Sequence, residues 1–179
     1  MGHFYFIRHG QTVWNVENKI CGATDIPLTE HGISQAEAAG EKLLSLGIKA
    51  DEILSSPLCR AKESARRISL VTGIPFRVEE RLIEQNFGKW ESTPRDSREF
   101  KEAKKNFIDS YEGGENMLAF AHRIYTVLDE IKAASDEKTV IIVAHNGLSR
   151  VIESYFRDMT NEEYAAFGIG NCEIRRYDF

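Results

Sequence analysis

The first apolar run of the chain, Phe4 to Ile7, ends in Arg8-His9-Gly10, a guanidinium and an imidazole followed by a glycine. A histidine beside a fixed positive charge has a lowered pKa, so it stays neutral and can act as a nucleophile. The glycine allows the backbone to turn sharply or to approach a ligand closely. A tripeptide of this kind also occurs by chance, so it indicates a site only if other residues join it.

Two further junctions supply residues of matching chemistry, Arg60 and His145. Ser56 predicts a helix N-cap with Pro57 at the first helical position, which places Arg60 in the first turn and aims it at the same sheet edge as His9. The competing interpretation of Arg60 is an ordinary surface arginine, since more basic residues follow on that helix. Two guanidiniums can bind phosphate oxygens in a bidentate manner, and a second imidazole can donate to a third oxygen.

Glu84 is the best-placed candidate for a general acid, in a loop that also carries Phe87. Next to a bound dianion and this aromatic ring, the pKa of the carboxyl is expected to rise, so that it is protonated part of the time. The histidines and carboxylates lack the spacing of helix-borne metal ligands, and the arginines supply positive charge. We therefore expect no metal and no cofactor.

The elements that must position these residues alternate between strands and helices. The run 139–144 is continuously apolar and rich in β-branched residues, which is typical of a central parallel strand buried on both faces. The pattern predicts an α/β fold, a three-layer α/β/α sandwich around a mostly parallel sheet. Ligands of such sheets bind beyond the carboxyl ends of the strands. The predicted strands are 4–7, 51–54, 76–78, 139–144 and an edge strand at 173–179. The main predicted helices are 30–46, the one after 56, 115–134 and the one after 147. Thr29 is the predicted N-cap of the helix 30–46, and the apolar face predicted for it consists of Ile33, Ala36, Gly40, Leu43 and Leu44.

The segment from about 92 to 112 is dense in charges of both signs, and we interpret it as a small helical excursion from the core. Two interpretations stay open for it, a solvated helix or a lid over the site. The length of 179 residues predicts a single domain over 1–179.

Composition and charge exclude several classes of function. A net charge of −5 argues against non-specific nucleic-acid binding, and no apolar run is long enough to span a membrane. Three widely spaced cysteines suggest neither a disulfide framework nor a zinc cluster. No secretory signal is visible at the N-terminus, so we expect a cytoplasmic protein.

In order and spacing these motifs resemble the histidine phosphatase superfamily, also called the phosphoglycerate mutase-like family, over nearly the whole chain. The resemblance implies that His9 attacks phosphorus and becomes a phosphohistidine. It implies that Arg8, Arg60 and His145 hold the phosphoryl oxygens, and that Glu84 protonates the departing alkoxide and then helps to activate water. The motifs that carry the resemblance are Arg8-His9-Gly10-Gln11-Thr12, Trp14-Asn15, Gly22, Asp25 to Thr29, Ser55 to Leu58, Arg60-Ala61, Glu84 to Trp90, Gly113-Gly114-Glu115 and Ala144 to Gly147.

The resemblance also implies contacts around the phosphate and a class of partner. Thr12, Asn15, Gly22 and Asn146 would be nearby polar contacts of the phosphate. The expected partner is a small-molecule phosphate monoester, with no nucleic acid and no membrane, and a homodimer is left open.

Within the family, a phosphomonoesterase is favoured over a mutase. Mutases carry a longer insertion after the position of Glu84, whereas the excursion here is short, and Gln11-Thr12 is more similar to phosphatases. The Glu84 loop also resembles α-ribazole phosphatases. Ser92 and Asn116 depart from the residues usual in the family, glycine and serine, which puts the substrate in doubt.

Three alternatives remain beside hydrolysis of a phosphate ester by this site. Mutase-type phosphoryl transfer is the first. Relatives that act on protein phosphohistidine do without a glutamate acid, so Glu84 favours an oxygen ester. From a different class, the chain could be a non-catalytic module that binds phosphorylated ligands.

Overall fold

The architecture was analysed in a computed structural model, which describes residues 2–179. Five strands form one sheet in the order β3-β2-β4-β1-β5, in which every pairing is parallel except that of β5 with β1. The strands are β1 (His3–Arg8), β2 (Glu52–Ser55), β3 (Phe76–Val78), β4 (Val140–Ala144) and β5 (Ile174–Asp178). The helices are α1 (Val13–Val16), α2 (Glu30–Ser45), α3 (Cys59–Thr72), α4 (Arg98–Ala103), α5 (Met117–Ala134), α6 (Asn146–Phe156) and α7 (Asn161–Ala166), with 3-10 turns at Glu80–Leu82 and Gly88–Trp90.

Strand β4 lies at the centre of the sheet, and all five of its residues are buried. Its side chains alternate between the two faces of the sheet, as the period of a strand requires. Ile142 packs in the core under α5 and α6, and Ile141 packs in the core under α2 and α3. The predicted three-layer α/β/α sandwich with a mostly parallel sheet is therefore confirmed, as is the edge strand near the C-terminus.

Helix α2 has the predicted N-cap, because the Thr29 hydroxyl accepts the N–H of Gly32. The buried face differs in one respect from the apolar stripe of the sequence. Ala39 faces the core, whereas Leu44, predicted to be buried, is 54% exposed.

The helix after β2 begins later than the sequence predicts. Helix α3 begins at Cys59 and its N-cap is Leu58, which makes no side-chain capping bond. The predictions of Ser56 as N-cap and Pro57 as first helical residue are therefore wrong. The Ser56 hydroxyl points instead to His145, and Arg60 still lies in the first turn.

Helical structure in the segment 92–112 is confined to α4. Phe100 of this helix is only 3% exposed and packs with Phe87 and Trp90. Four of the six residues of α4 are exposed, while Phe100 packs against the loop that carries Glu84, so both interpretations of the segment, a solvated helix and a lid, stay open.

Ser92 and Asn116, the two residues that depart from the family pattern, both have a role in the backbone structure. Ser92 has a φ of 69°, in the left-handed region where glycine has no steric penalty. Asn116 caps α5 by accepting the N–H of Ala119, a task that serine also performs well. Neither observation bears on substrate choice.

No helix within residues 2–179 is both long and apolar enough to cross a membrane.

Candidate active site

Two adjacent parallel strands place two imidazoles side by side. Arg8 at the end of β1 is in register with Ala144 at the end of β4, and the N–H of His9 donates to the carbonyl of Ala144 at 2.9 Å. The ring centroids of His9 and His145 are consequently 5.2 Å apart. The two histidines meet at the carboxyl end of the sheet, as the sequence predicts.

The hydrogen bond of His9 fixes its tautomer. Its Nδ1 lies 2.6 Å from the carbonyl oxygen of Gly10, which can only accept, so Nδ1 carries the proton. The other ring nitrogen, Nε2, is then left with a free lone pair. Burial first, then the charges of Arg60 and Arg8, hold the pKa of His9 well below its usual 6.5. His9 is therefore a neutral imidazole with one unprotonated nitrogen, in a residue that lines a cavity.

A serine orients the second imidazole. The Ser56 oxygen accepts the N–H of Leu58 at 3.3 Å and lies 2.6 Å from Nε2 of His145. Nε2 of His145 is the only acceptor that the described residues offer to the Ser56 hydroxyl, so the hydroxyl donates to Nε2 and the proton of His145 lies on Nδ1. That Nδ1 is buried and has no hydrogen-bond partner in residues 2–179. Burial and Arg60 lower the pKa of His145 well below 6.5 as well.

Both predicted arginines lie beside His9. Arg60 is fully buried, and its two terminal nitrogens donate to the carbonyls of Thr24 at 2.8 Å and Gly22 at 2.6 Å. Arg8 donates one terminal nitrogen to Ile169 at 2.7 Å, and burial lowers its pKa to about 10. The Nε atoms of both arginines are buried and, among the described residues, make no hydrogen bond.

A buried donor without a partner is unusual, because such a group forgoes the hydrogen bond it would make to water. Four such side-chain atoms occur in residues 2–179, and three of them belong to residues around His9: Nε of Arg8, Nε of Arg60 and Nδ1 of His145. The fourth is Nε1 of Trp90. Such a set of donors can be satisfied by the oxygens of an anion.

Glu84 lies in the same cavity as His9 and is only 5% exposed. Its two oxygens accept backbone N–H groups, from Gln85 at 2.9 Å and from Gly147 at 2.9 Å. Burial raises the pKa of Glu84, while these bonds and Arg60 oppose the rise. The direction is the one expected from the sequence, although the main cause is burial. A Cβ at position 147 would lie 2.3 Å from a carboxylate oxygen of Glu84, so any residue larger than glycine there would displace this carboxylate.

The loop that holds Arg60 is itself held by Glu91. One oxygen of its carboxylate accepts the N–H of Gly22 at 3.0 Å and the hydroxyl of Thr24 at 2.8 Å. The other accepts the N–H of Ala23 at 3.1 Å and that of Phe87 at 3.0 Å. Four donors thus converge on one carboxylate and join the loop at 22–24 to the loop that carries Glu84.

The four predicted polar contacts divide into two groups. Asn15 and Asn146 line the cavity with Arg8, His9 and Glu84. Thr12 is buried and caps α1, and Gly22 accepts from Arg60, so these two support the site from outside the cavity lining. Arg60 and His145 are fully buried next to His9 and are not part of the cavity lining.

Four site residues escaped the sequence analysis. The serine that orients His145, Ser56, was predicted as a helix cap. Three cations line the cavity: Arg95 and Lys104 from segment 92–112, and Arg150 from α6. The density of charges in segment 92–112 was a signal for Arg95 and Lys104. The sequence does not indicate which charges of that segment face the cavity.

Metal ligands do not cluster in the described part of the chain. No three His, Cys, Asp or Glu side chains come together there in a way that could hold a metal ion.

A model of the histidine phosphatase superfamily (branch 1) matches residues 4–179. The chain belongs to this superfamily. The resemblance stated from the motifs is thereby confirmed, and the fold is that of the phosphoglycerate mutase-like proteins.

The proteins to which the chain is similar include some that are named as mutases and some that are named as phosphatases. A Yersinia pestis protein named "Probable phosphoglycerate mutase GpmB" is 30% identical, and the match covers 98% of this chain and 84% of that protein. A mycobacterial glucosyl-3-phosphoglycerate phosphatase structure is 29% identical with a TM-score of 0.84, covering 98% of this chain and 92% of the other. The α-ribazole phosphatase of Shigella flexneri has a TM-score of 0.82 at 24% identity, with 98% and 90% covered, which shows the fold alone.

Proposed function

We propose that this chain is a metal-independent phosphomonoesterase that works through a phosphohistidine at His9 on small-molecule phosphate esters. The observation that carries the proposal is the pairing of a neutral imidazole with three partnerless buried donors around it. A phosphoryl group placed before His9 would supply the missing acceptors. A non-catalytic phosphate-binding module would need the donors but not a nucleophile in the correct tautomer.

The first half of the reaction forms a bond between Nε2 of His9 and phosphorus while the ester P–O bond breaks. Arg8, Arg60 and Nδ1–H of His145 stabilise the charge that develops on the phosphoryl oxygens. Glu84, kept protonated part of the time by burial, gives its proton to the departing alkoxide. In the second half, water attacks phosphorus, the ionised Glu84 accepts a proton from it, and the P–N bond breaks to release phosphate.

Two guanidiniums provide the positive charge that metal ions supply in other phosphoryl-transfer enzymes, and the neutral His145 adds an N–H donor. Their positions are fixed by the fold through the carbonyls of Gly22, Thr24 and Ile169. Transition-state stabilisation of this kind depends mainly on such preorganisation.

Phosphoglycerate mutase-type transfer is the second candidate, because the Yersinia pestis relative bears that name. Transfer and hydrolysis share the phosphohistidine and differ in what accepts the phosphoryl group. The short excursion that favoured hydrolysis does cover one side of the cavity with Arg95 and Lys104, so water access must be tested directly.

The test is phosphate release from a panel of phosphomonoesters in the presence of chelator. The panel includes 3-phosphoglycerate and α-ribazole phosphate, with a parallel assay for 2-phosphoglycerate. Phosphate release with a preferred ester supports the phosphatase. Isomer formation that depends on a bisphosphate primer, without phosphate release, contradicts it and identifies a mutase.

A further inference from the structure

The loop that carries Glu84 has little backbone structure of its own. Residues 84–86 belong to no strand or helix. Within residues 2–179, one hydrogen bond joins their main chain to another main-chain group, from the N–H of Glu115 to the carbonyl of Asn86 at 2.8 Å. The Glu84 carboxylate accepts one of its two bonds from Gln85, which lies in the same loop. The position of the carboxylate relative to His9 therefore depends on what anchors the loop.

Arg123 of α5 bonds to the loop at two points. One terminal nitrogen donates to the carbonyl of Arg81, and the other donates to the carbonyl of Glu84 itself at 3.4 Å. Glu115 holds the guanidinium, because its two carboxylate oxygens accept from Nε and from a terminal nitrogen of Arg123, each at 2.8 Å. A bidentate pair of this kind fixes the plane of the guanidinium, and with it the direction of the bonds to the two carbonyls.

Glu115 also contacts the loop through its own main chain. Its N–H bonds to Asn86, and its carbonyl accepts the side-chain amide of Gln85 at 3.0 Å. Gly114 allows this approach, since a Cβ there would lie 2.4 Å from the carbonyl oxygen of Asn86. The motif Gly113-Gly114-Glu115, to which the proposed chemistry gives no role, thus packs against the loop of the acid.

We infer that Glu115 and Arg123, hereafter the clamp pair, are positioning residues for the acid step, because they hold the main chain of Glu84 where its carboxyl can reach the leaving-group oxygen. The inference rests on the proposed function. The competing interpretation is a purely structural ion pair at the start of α5. The pair is partly open to solvent, with side chains 17% and 21% exposed, and ion pairs near the surface contribute little to stability. A displacement of a catalytic group by about 1 Å, in contrast, can cost about 10²-fold in rate.

The dependence of the rate on the leaving group distinguishes the two interpretations. Arg123→Gln should lower kcat by about tenfold or more for the alkyl ester that the panel above prefers, and by less than about threefold for para-nitrophenyl phosphate, since only the alkoxide needs a proton. Arg123→Lys should not restore the alkyl rate, because an ammonium cannot pair bidentately with Glu115 and also reach both carbonyls. Equal losses for the two esters would leave the clamp pair a structural role alone and would overturn the inference.

The matched control is Arg66→Gln. Arg66 forms the same bidentate pair with Glu63, with both bonds at 2.7 Å, and it makes no bond to the loop of Glu84. This variant should hydrolyse both esters at the parent rates.

A double-mutant cycle tests whether the clamp pair acts through Glu84. Glu84→Gln already removes the proton donor, so adding Arg123→Gln to it should slow the alkyl ester by less than about twofold more. Losses that multiply would contradict an action through Glu84.

Hydrogen exchange followed by NMR tests the clamp pair without turnover. The N–H groups of Gln85 and Gly147 both donate to the Glu84 carboxylate, so both should exchange about tenfold faster or more in Arg123→Gln than in Arg66→Gln. The N–H of Ile142, in the central strand β4, reports any general loss of stability. Unchanged exchange at Gln85 and Gly147, or an increase that Ile142 matches, would overturn the inference.

The two kinds of measurement separate this inference from the proposed function. If the exchange rates change as expected and the parent hydrolyses neither ester, the clamp pair does hold Glu84 and the phosphatase proposal fails. If the parent hydrolyses both esters, and the ester rates and exchange rates of Arg123→Gln equal those of Arg66→Gln, the phosphatase proposal stands and the inference fails.

Discussion

Replacing Glu91 by Gln should loosen the loop that holds Arg60, because one oxygen acceptor becomes an amino group. If the amide nitrogen takes the place of the oxygen near Ala23 and Phe87, two N–H donors lose their acceptor. In the opposite orientation only the N–H of Gly22 loses its acceptor, since the Thr24 hydroxyl can reverse and accept from the amide. The second orientation costs less and is therefore the one we expect.

The lost acceptor and the lost charge should lower the free energy of unfolding by about 2 kcal/mol, the cost of one unsatisfied donor in a partly buried site. For a chain of this size that corresponds to a decrease in Tm of about 6 °C. Because the carbonyl of Gly22 accepts from Arg60, the guanidinium should also shift, with a loss of about tenfold in kcat/KM for an aryl phosphate.

The assay combines thermal unfolding with steady-state kinetics, and Glu80→Gln is the control. It makes the same chemical change at an exposed residue. A Tm and a kcat/KM of Glu91→Gln that both equal those of the control would refute the claim that this carboxylate positions Arg60.

Three further predictions concern the residues of the cavity and those next to it. Glu84→Gln should slow an alkyl phosphate by about 10²-fold or more and an activated aryl phosphate far less, since only the alkoxide needs a proton; equal slowing would remove Glu84 from the acid role. Ser56→Ala should lower kcat by about tenfold because His145 loses the bond that fixes its tautomer, and a kcat equal to that of the parent would contradict this orientation. Burial holds the pKa of His145 in the folded protein below the value of 6.5 that it has in the unfolded chain. At pH values between the two, the unfolded chain binds a proton that the folded protein does not bind, so the free energy of unfolding falls as the pH falls. From about pH 6 to pH 5, denaturant titrations should show the parent losing about 1 kcal/mol more than His145→Asn, and parallel losses would contradict a buried neutral His145.

The fold was predictable where burial alone decides it. The run 139–144 could only be a central strand, because it offers no polar face, and β4 is buried along its whole length. Capping by Thr29 was equally readable, since the hydroxyl bonds within its own turn. Arg8, His9 and His145 follow from the ends of adjacent strands, a consequence of parallel topology.

What the sequence could not give are the contacts between residues far apart in the chain. Ser56 has the local signature of a cap, yet its hydroxyl bonds to His145, which lies 89 positions later. Glu91 carries no motif of its own, but it joins two loops through donors 67 to 69 positions away. Arg95 and Lys104 lie among many charges, and the sequence does not indicate that Arg95 donates to the carbonyl of Lys19 or that Lys104 lies over the ring of Phe100 beside the cavity.

The central claim is that His9 becomes covalently phosphorylated. The most direct measurement is mass spectrometry of the protein quenched in base during turnover of an aryl phosphate, since phosphohistidine is labile in acid. The account predicts one added phosphoryl group on the peptide that contains His9, and none in His9→Ala. Turnover with no phosphoryl group on His9, or its appearance on another residue, would contradict the account.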